Sequence, residues 1–431
     1  MTKEVLAMLI DFTVENYASF RDETILSAET GERLRKFRKT NTFEYNGFKL
    51  LKSLALFGPN GSGKTNMIDG LRRMRDMVMH DPRLVTDKLP YNPFRGDMNS
   101  RRKPQMFDVR FTYGDKSYHY RYSFDRTEII YEMLAVITPR KEKIYFERIG
   151  QEYPILPERL ADAAEATKSN TLFLYMAQRN NDKLAIEVVR WFQELIFVDD
   201  LTVPQRFMEL LEDERIKRAL VDFLGFADLS IIDFKTRTVD APKFPDEIKN
   251  LIARMSDGNI ELPEKTTELV TIHKVYENGR YVGNEEFQFG DESLGTRKMM
   301  VIALAIIYAK ISGNGRTIVI DEFDDALHME LSTALLKIFN SEQGRNQFIL
   351  TTHELELLDC DLRIDQIYLF EKDFQGNSAL NSIFDFEGAA TSRMDIAFAR
   401  RYMEGRFGAV PQVSQEEMMN SLKNLEGGDY S

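Results

Sequence analysis

The chain of 431 residues has one cysteine, Cys360, so no internal disulfide framework is open to it. It has no apolar run near the ~18 residues that a membrane-spanning helix requires; the nearest stretch, Met299 to Ile307, is too short. The N-terminus lacks the basic-then-apolar pattern of an export signal. The five histidines, His80, His119, His273, His328 and His353, show no metal-site spacing with Cys360. There is no internal repeat and no long coiled coil. These absences give the expectation of a cytoplasmic protein without a membrane role.

Positive charge is also short: the net charge is −12, unlike a protein that coats nucleic acid uniformly. The charge is uneven. Residues 1–150 hold 27 Lys/Arg against 20 Asp/Glu, and the remainder 30 against 49. Three basic clusters stand out: Arg33-Leu-Arg-Lys-Phe-Arg-Lys39, Arg72-Arg73 with Arg75, and Arg101-Arg102-Lys103. Each has the composition of a solvated surface; any nucleic-acid contact would be sought there. At 43% hydrophobic and 29% charged, the composition is that of an ordinary globular protein with a large core.

What is present begins with Gly58-Pro-Asn-Gly-Ser-Gly-Lys-Thr65, after the apolar run Leu54–Phe57. Every fixed position of the P-loop template is met. Gly58, Gly61 and Gly63 let backbone N–H groups of the loop, including Asn60 and Ser62, turn inward around phosphate oxygens. Lys64 supplies a cation for the β- and γ-phosphates, and Thr65 a hydroxyl for Mg²⁺. A helix opening near Lys64, through Asn66, points its positive end at the same phosphates. Met67, Leu71, Met74 and Val78 recur at helical spacing. The octapeptide implies binding of a nucleoside triphosphate, and the cofactors expected for the chain are ATP and Mg²⁺.

Thr317-Ile-Val-Ile-Asp-Glu322 reads as a buried strand ending in two carboxylates. Asp321 is placed to hold Mg²⁺, and Glu322 to orient or deprotonate the attacking water. Phe348-Ile-Leu-Thr-Thr-His353 is a second buried strand, whose terminal His353 is assigned to a γ-phosphate contact. Glu292-Ser-Leu-Gly-Thr-Arg-Lys298 precedes the helix Met299–Lys310. Ser293 fits a simple helix cap. It also fits, with Gly295, the signature motif of an ABC-type ATPase, which binds the γ-phosphate of a second subunit. That arrangement implies a homodimer, or a higher homo-oligomer, with ATP sandwiched between heads.

The rest of the chain divides by pattern. Residues 1–150 read as an ATPase N-lobe with an antiparallel β subdomain, residues 151–265 as a helical insertion, 266–411 as the ATPase C-lobe, and 412–431 as a polar flexible tail. The fold class expected is α/β: a P-loop NTPase of ABC-type head architecture, with a mixed sheet, flanking helices and an antiparallel subdomain.

The set resembles the ABC-ATPase heads of the SMC, RecF and OLD-nuclease group. It is similar above all to bacterial phage-defence ATPases of the AbiL, RloA and AriA (PARIS) type. The carriers are Val14-Glu-Asn-Tyr-Ala-Ser-Phe20, the P-loop, Glu292–Thr296, Ile320-Asp-Glu-Phe-Asp-Asp-Ala-Leu-His328, Thr351–His353 with Leu357-Leu358, Asp365–Asp373, and Tyr402-Met-Glu-Gly-Arg-Phe-Gly408. The likeness covers roughly residues 8–411. It departs at His328, where transporter-type proteins have Asp, and at Ala18, where RecF-like proteins often carry arginine; Arg21 is a candidate substitute. About sixty residues lie between His353 and the tail, which gives the expectation of no fused TOPRIM domain.

The resemblance implies a sensor or regulatory subunit of an anti-phage, abortive-infection system. A nucleic acid or phage protein would trigger it, and it would control a separately encoded TOPRIM or RloB-like nuclease effector. A RecF-type repair ATPase on duplex DNA, an ATP-dependent scaffold and an autonomous nuclease are the alternatives.

Overall fold

Strand Ser53–Phe57 is buried at every position in the computed structural model, as an apolar run between parallel neighbours must be. The structure describes residues 5–198, 203–227, 230–240, 265–313, 315–341, 343–386, 398–406 and 419. The tail expected from residue 412 lies, apart from Met419, outside them, as do Phe407 and Gly408.

Among the described residues, a six-stranded sheet runs in the order Ile196–Val198, Thr317–Ile320, Gln347–Thr352, Ser53–Phe57, Ile367–Lys372, Ser378–Ser382. Its first five strands are parallel and the last is antiparallel. Helix Lys64–Met79 buries Met67, Ile68, Leu71, Met74 and Val78, the stripe its spacing specifies. Helix Leu294–Ile311 is buried through its middle, from Lys298 to Ala305. Ligands of such sheets bind beyond the carboxyl ends of the strands. The P-loop, Asp321-Glu322 and His353 all lie there, at three neighbouring strand ends.

A seven-stranded antiparallel sheet contains the strands expected at residues 5–30 and 106–148, with Glu152–Ile155 at one edge. It carries the aromatic core: Tyr118, Tyr120, Tyr122 and Phe124 are all fully buried, on alternating positions of one strand. A third sheet joins Ile231–Asp240, Lys265–Glu277 and Arg280–Gln288.

The stretch 151–265, expected as a helical insertion, carries more than helices. Helices Phe173–Arg179 and Lys183–Glu194 pack on the antiparallel sheet, where Trp191 stacks on Phe111 at 4.1 Å. Strand Ile196–Val198 then enters the central sheet beside Thr317–Ile320. Helix Glu214–Phe226 packs in the core shared with helix Leu294–Ile311. Ile231–Asp240 is a strand, a β-branched run whose two-residue period the helical reading overlooked.

One buried polar knot fastens the helices to the antiparallel sheet. Glu132 accepts from the amides of Phe173 and Leu174 at 2.6 and 2.8 Å, at the start of helix Phe173–Arg179. It also accepts from Tyr120 Oη at 2.9 Å. Arg148, itself fully buried, lies 3.6 Å from Glu132 and donates to the carbonyls of Gly150, Lys168 and Thr171. Each charge is thereby compensated, which a buried charge requires.

Candidate functional site

The phosphate loop is shaped by its glycines. Gly63 has φ +114 and caps helix Lys64–Met79. A Cβ there would collide with Ser378 Oγ and lie 2.9 Å from Ser19 Oγ. Those two serines are hydrogen-bonded at 2.8 Å, and Asn66 Nδ2 donates to Ser19 at 2.8 Å. Asn66, expected to bind nucleotide, thus braces the loop in this structure. Lys372 Nζ holds Gly61 O at 2.9 Å. Asn60 and Thr65 are exposed at the loop mouth. Ser62 Oγ is buried and without a hydrogen-bond partner among the described residues, an orphan hydroxyl of the kind that a phosphate oxygen satisfies.

Lys64 is buried, and its Nζ donates to Gly58 O at 2.7 Å and Pro59 O at 3.1 Å. His353 Nδ1 lies 3.4 Å from the same nitrogen. His353 Nε2 stands 3.9 Å from Glu322 Oε1. The imidazole therefore sits between the phosphate lysine and the carboxylate assigned to the water. Burial pushes the Lys64 ammonium down to about 8, although Asp321, Glu322 and Asp324 pull the other way.

The Asp-Glu pair lies just past its strand, which ends at Ile320. The extended run stops because Glu322 adopts a left-handed backbone, φ 48, which is uncommon for a side chain of this size. Thr351 holds that geometry: its hydroxyl donates to Asp321 Oδ1 and accepts the Glu322 amide at 2.6 Å. Thr352 Oγ1 donates to Asp324 Oδ2 at 2.8 Å. Phe323, fully buried, anchors the turn. Asp321 and the Thr65 hydroxyl are the residues that would hold Mg²⁺, both offering the hard oxygen that this ion takes. Such an ion, when bound, would neutralise phosphate charge.

Ser293 caps helix Leu294–Ile311, accepting from Thr296 N at 3.1 Å. Its neighbour Glu292 is fixed by two side chains of the third sheet, His273 Nε2 at 2.6 Å and the Thr271 hydroxyl. Farther along the helix, buried Lys298 donates to Asp321 O at 2.8 Å. A Cβ on Gly295 would strike Ala326 O, so glycine permits the helix to lie against the loop after Glu322. The helix start is thus mechanically joined to the carboxylates. Among the described residues, the Ser293 hydroxyl bonds to Thr296 and not to the P-loop of its own chain.

The structure brings together Gly58, Gly61, Ser62, Gly63, Lys64, Thr65, Asp321, Glu322 and His353, and leaves Ser293 and Gly295 on a separate, connected edge. Arg21 binds Asp22 and Gln375. His328 is exposed at the start of helix Met329–Phe339. The sequence reading quoted Thr351, Thr352, Glu292 and Lys298 within motifs but gave them no role of their own, and it gave none to His273. Only the first two carried a signal, as polar residues closing an otherwise apolar strand.

The Lys64 ammonium makes nucleotide affinity pH-dependent. With its free-protein value lowered to about 8, the charge is complete near pH 6.5 and is lost as pH rises through 8. Bound phosphates favour the charged form, so binding takes up a proton above that pH. The Kd for a non-hydrolysed ATP analogue is expected to be flat below pH ~7.5 and to rise by up to about tenfold per pH unit above ~8. Titration calorimetry in buffers of different ionisation enthalpy checks this; a flat profile to pH 9.5 removes Lys64 as the cause.

Residues 53–359 match the family described as "AAA domain, putative AbiEii toxin, Type IV TA system". A curated relative in Helicobacter pylori, "ATP/GTP phosphatase", is 20% identical over 367 residues, 81% of this chain and 90% of that protein. Among solved structures, the SMC head domain from Thermotoga maritima is 13% identical, covering 87% of this chain and 98% of that one, with a TM-score of 0.38. The Smc head domain with an extended coiled coil, bound to the C-terminal domain of ScpA derived from Pyrococcus furiosus, is 11% identical, covering 97% and 99%, with a TM-score of 0.38. Among the described residues no helix is long and apolar enough to cross a membrane.

Proposed function

Since the chain belongs to this AAA-domain family, we propose that it is an ATP-hydrolysing regulatory switch of a bacterial anti-phage system, acting on a separately encoded nuclease-like effector. The chemistry is that of an ATPase of ABC/SMC type. The observation that carries it is the convergence of Lys64, His353 and Glu322 within 3.4 and 3.9 Å contacts at adjacent strand ends. Lys64 and the loop amides bind and orient the phosphates. Glu322 orients the attacking water and takes its proton. His353, between them, senses the terminal phosphate. Lys298 and Gly295 connect that state to Ser293, which completes the site of a second copy. The family description, which names a toxin of a toxin–antitoxin system, supports the defence role.

The test is phage plating on cells that express the chain with its neighbouring reading frames. Wild type is expected to reduce plating and Lys64→Ala to restore it. Equal plating on both across a phage panel overturns the defence role. Full protection by Glu322→Gln instead leaves a scaffold in which ATP sets only oligomer geometry.

A further inference from the structure

The basic run Arg33–Lys39 has no part in the ATP site. Lys52, at the start of strand Ser53–Phe57, donates its amide to Asn41 O at 2.9 Å, so the run joins the core at the end of that strand opposite the P-loop. At ~3.3 Å per residue the strand separates the two by well over 10 Å.

The run is a constructed arch. At one foot, Gly31 N donates to Asp365 Oδ2 at 2.8 Å, and the glycine packs against the Phe384 ring. At the other, Asn41 Nδ2 donates to Asp361 O and Gln366 Oε1 at 2.9 and 2.8 Å. Beneath the span lies Arg363, 3% exposed, whose guanidinium donates to Lys36 O at 2.9 Å and to Leu34 O. Asp365 neutralises Arg363 at 2.7 Å. The carbonyls are therefore gathered inward. Arg33, Arg35, Arg38 and Lys39 are exposed, and none has a carboxylate partner among the described residues. Arg33 and Phe37 hold left-handed backbones, φ 66 and 52, conformations that persist where surrounding structure imposes them. A solvated charged coil would need neither a buried arginine under it nor that strain.

The arch walls a cleft of ≈ 1060 Å³, lined also by Phe43 and Lys49 of the paired strands Thr42–Tyr45 and Phe48–Leu51, and by Pro139. Of its carboxylates, Glu29 is held by Arg110 at 3.1 Å, leaving Glu32 and Glu44. The space is too large for one small anion. Guanidinium forks set along one segment match an anion that repeats along a polymer.

We propose that this cleft binds the phosphodiester backbone of a nucleic-acid strand, without base readout, at a site separate from the ATP pocket. The test is fluorescence anisotropy with labelled 20-mer duplex DNA and 20-mer single-stranded RNA, using the full chain at 50 to 200 mM salt. About four phosphate contacts give a slope of about −3.6 in log K against log salt on duplex, a loss of about 100-fold over that range. Arg35→Ala with Arg38→Ala is expected to weaken binding at least tenfold at 50 mM and to flatten the slope to about −1.8, with basal ATP turnover unchanged. Arg35→Lys with Arg38→Lys, which keeps the charge, should retain most of the affinity and guards against misfolding. Which probe binds tells DNA from RNA. No binding of either, equal binding by the alanine variant, or displacement of both by polyglutamate at equal charge concentration would overturn the proposal, the last in favour of an acidic protein partner.

Discussion

Glu322→Gln is expected to lower ATP turnover by about 10²- to 10⁴-fold and to leave nucleotide affinity within a few-fold of wild type. Glu322 is the exposed carboxylate of the pair, 52% accessible, and faces His353 at 3.9 Å. Asp321 has one oxygen taken by Thr351 and its carbonyl by Lys298, so it is a fixed group, suited to an ion and not to moving a proton. The glutamine keeps the shape, the left-handed turn and the Thr351 contact to the main-chain amide. It removes the negative charge and, with it, the ability to accept a proton. Binding and closure should therefore proceed and stall, giving an ATP-trapped dimer by light scattering. Normal phosphate release by the variant would show that Glu322 is not the base. Thr351 sharpens the point: because its hydroxyl touches both carboxylate residues, its loss should impair turnover through position and not through charge.

Much of this was legible because each part is local. The P-loop is eight consecutive residues, and its strand and helix announce themselves by an all-apolar run and a helical stripe. The Asp-Glu turn and the His353 strand end were legible for the same reason. What escaped depends on long-range packing. Nothing near Thr351 in sequence says that its hydroxyl will meet residues 321 and 322; that follows from strands Thr317–Ile320 and Gln347–Thr352 pairing in parallel register. Glu292 gives no hint of His273, nineteen positions earlier, until the third sheet folds over the helix start. The stretch 151–265 misled for a related reason. Its helices dominate the pattern, but Ile196–Val198 is only three residues long. Its place in the central sheet is decided by the Ile318–Ile320 backbone beside it.

The second large effect concerns Ser293. Helix Leu294–Ile311 spans 18 residues and is enclosed by the core, yet its first residues emerge: Leu294 is 52% exposed, and Ser293 beside it is exposed too. An apolar side chain and a helix N-terminus held outward together, braced from behind by Glu292, His273 and Lys298, are arranged to meet an anion supplied from outside the chain. If that anion is the γ-phosphate in a second copy, turnover needs two chains. Per-chain rate should then fall on dilution below the dimer Kd, and Ser293→Ala should cost about 10²- to 10³-fold, the scale for losing one positioned donor. Its affinity for an ATP analogue should stay intact, since Lys64 and the loop amides remain. Lys64→Ala gives the opposite split, losing affinity and turnover together. A per-chain rate indifferent to dilution, with Ser293→Ala as active as wild type, would leave Ser293 as a helix cap and the ATP site complete within one chain.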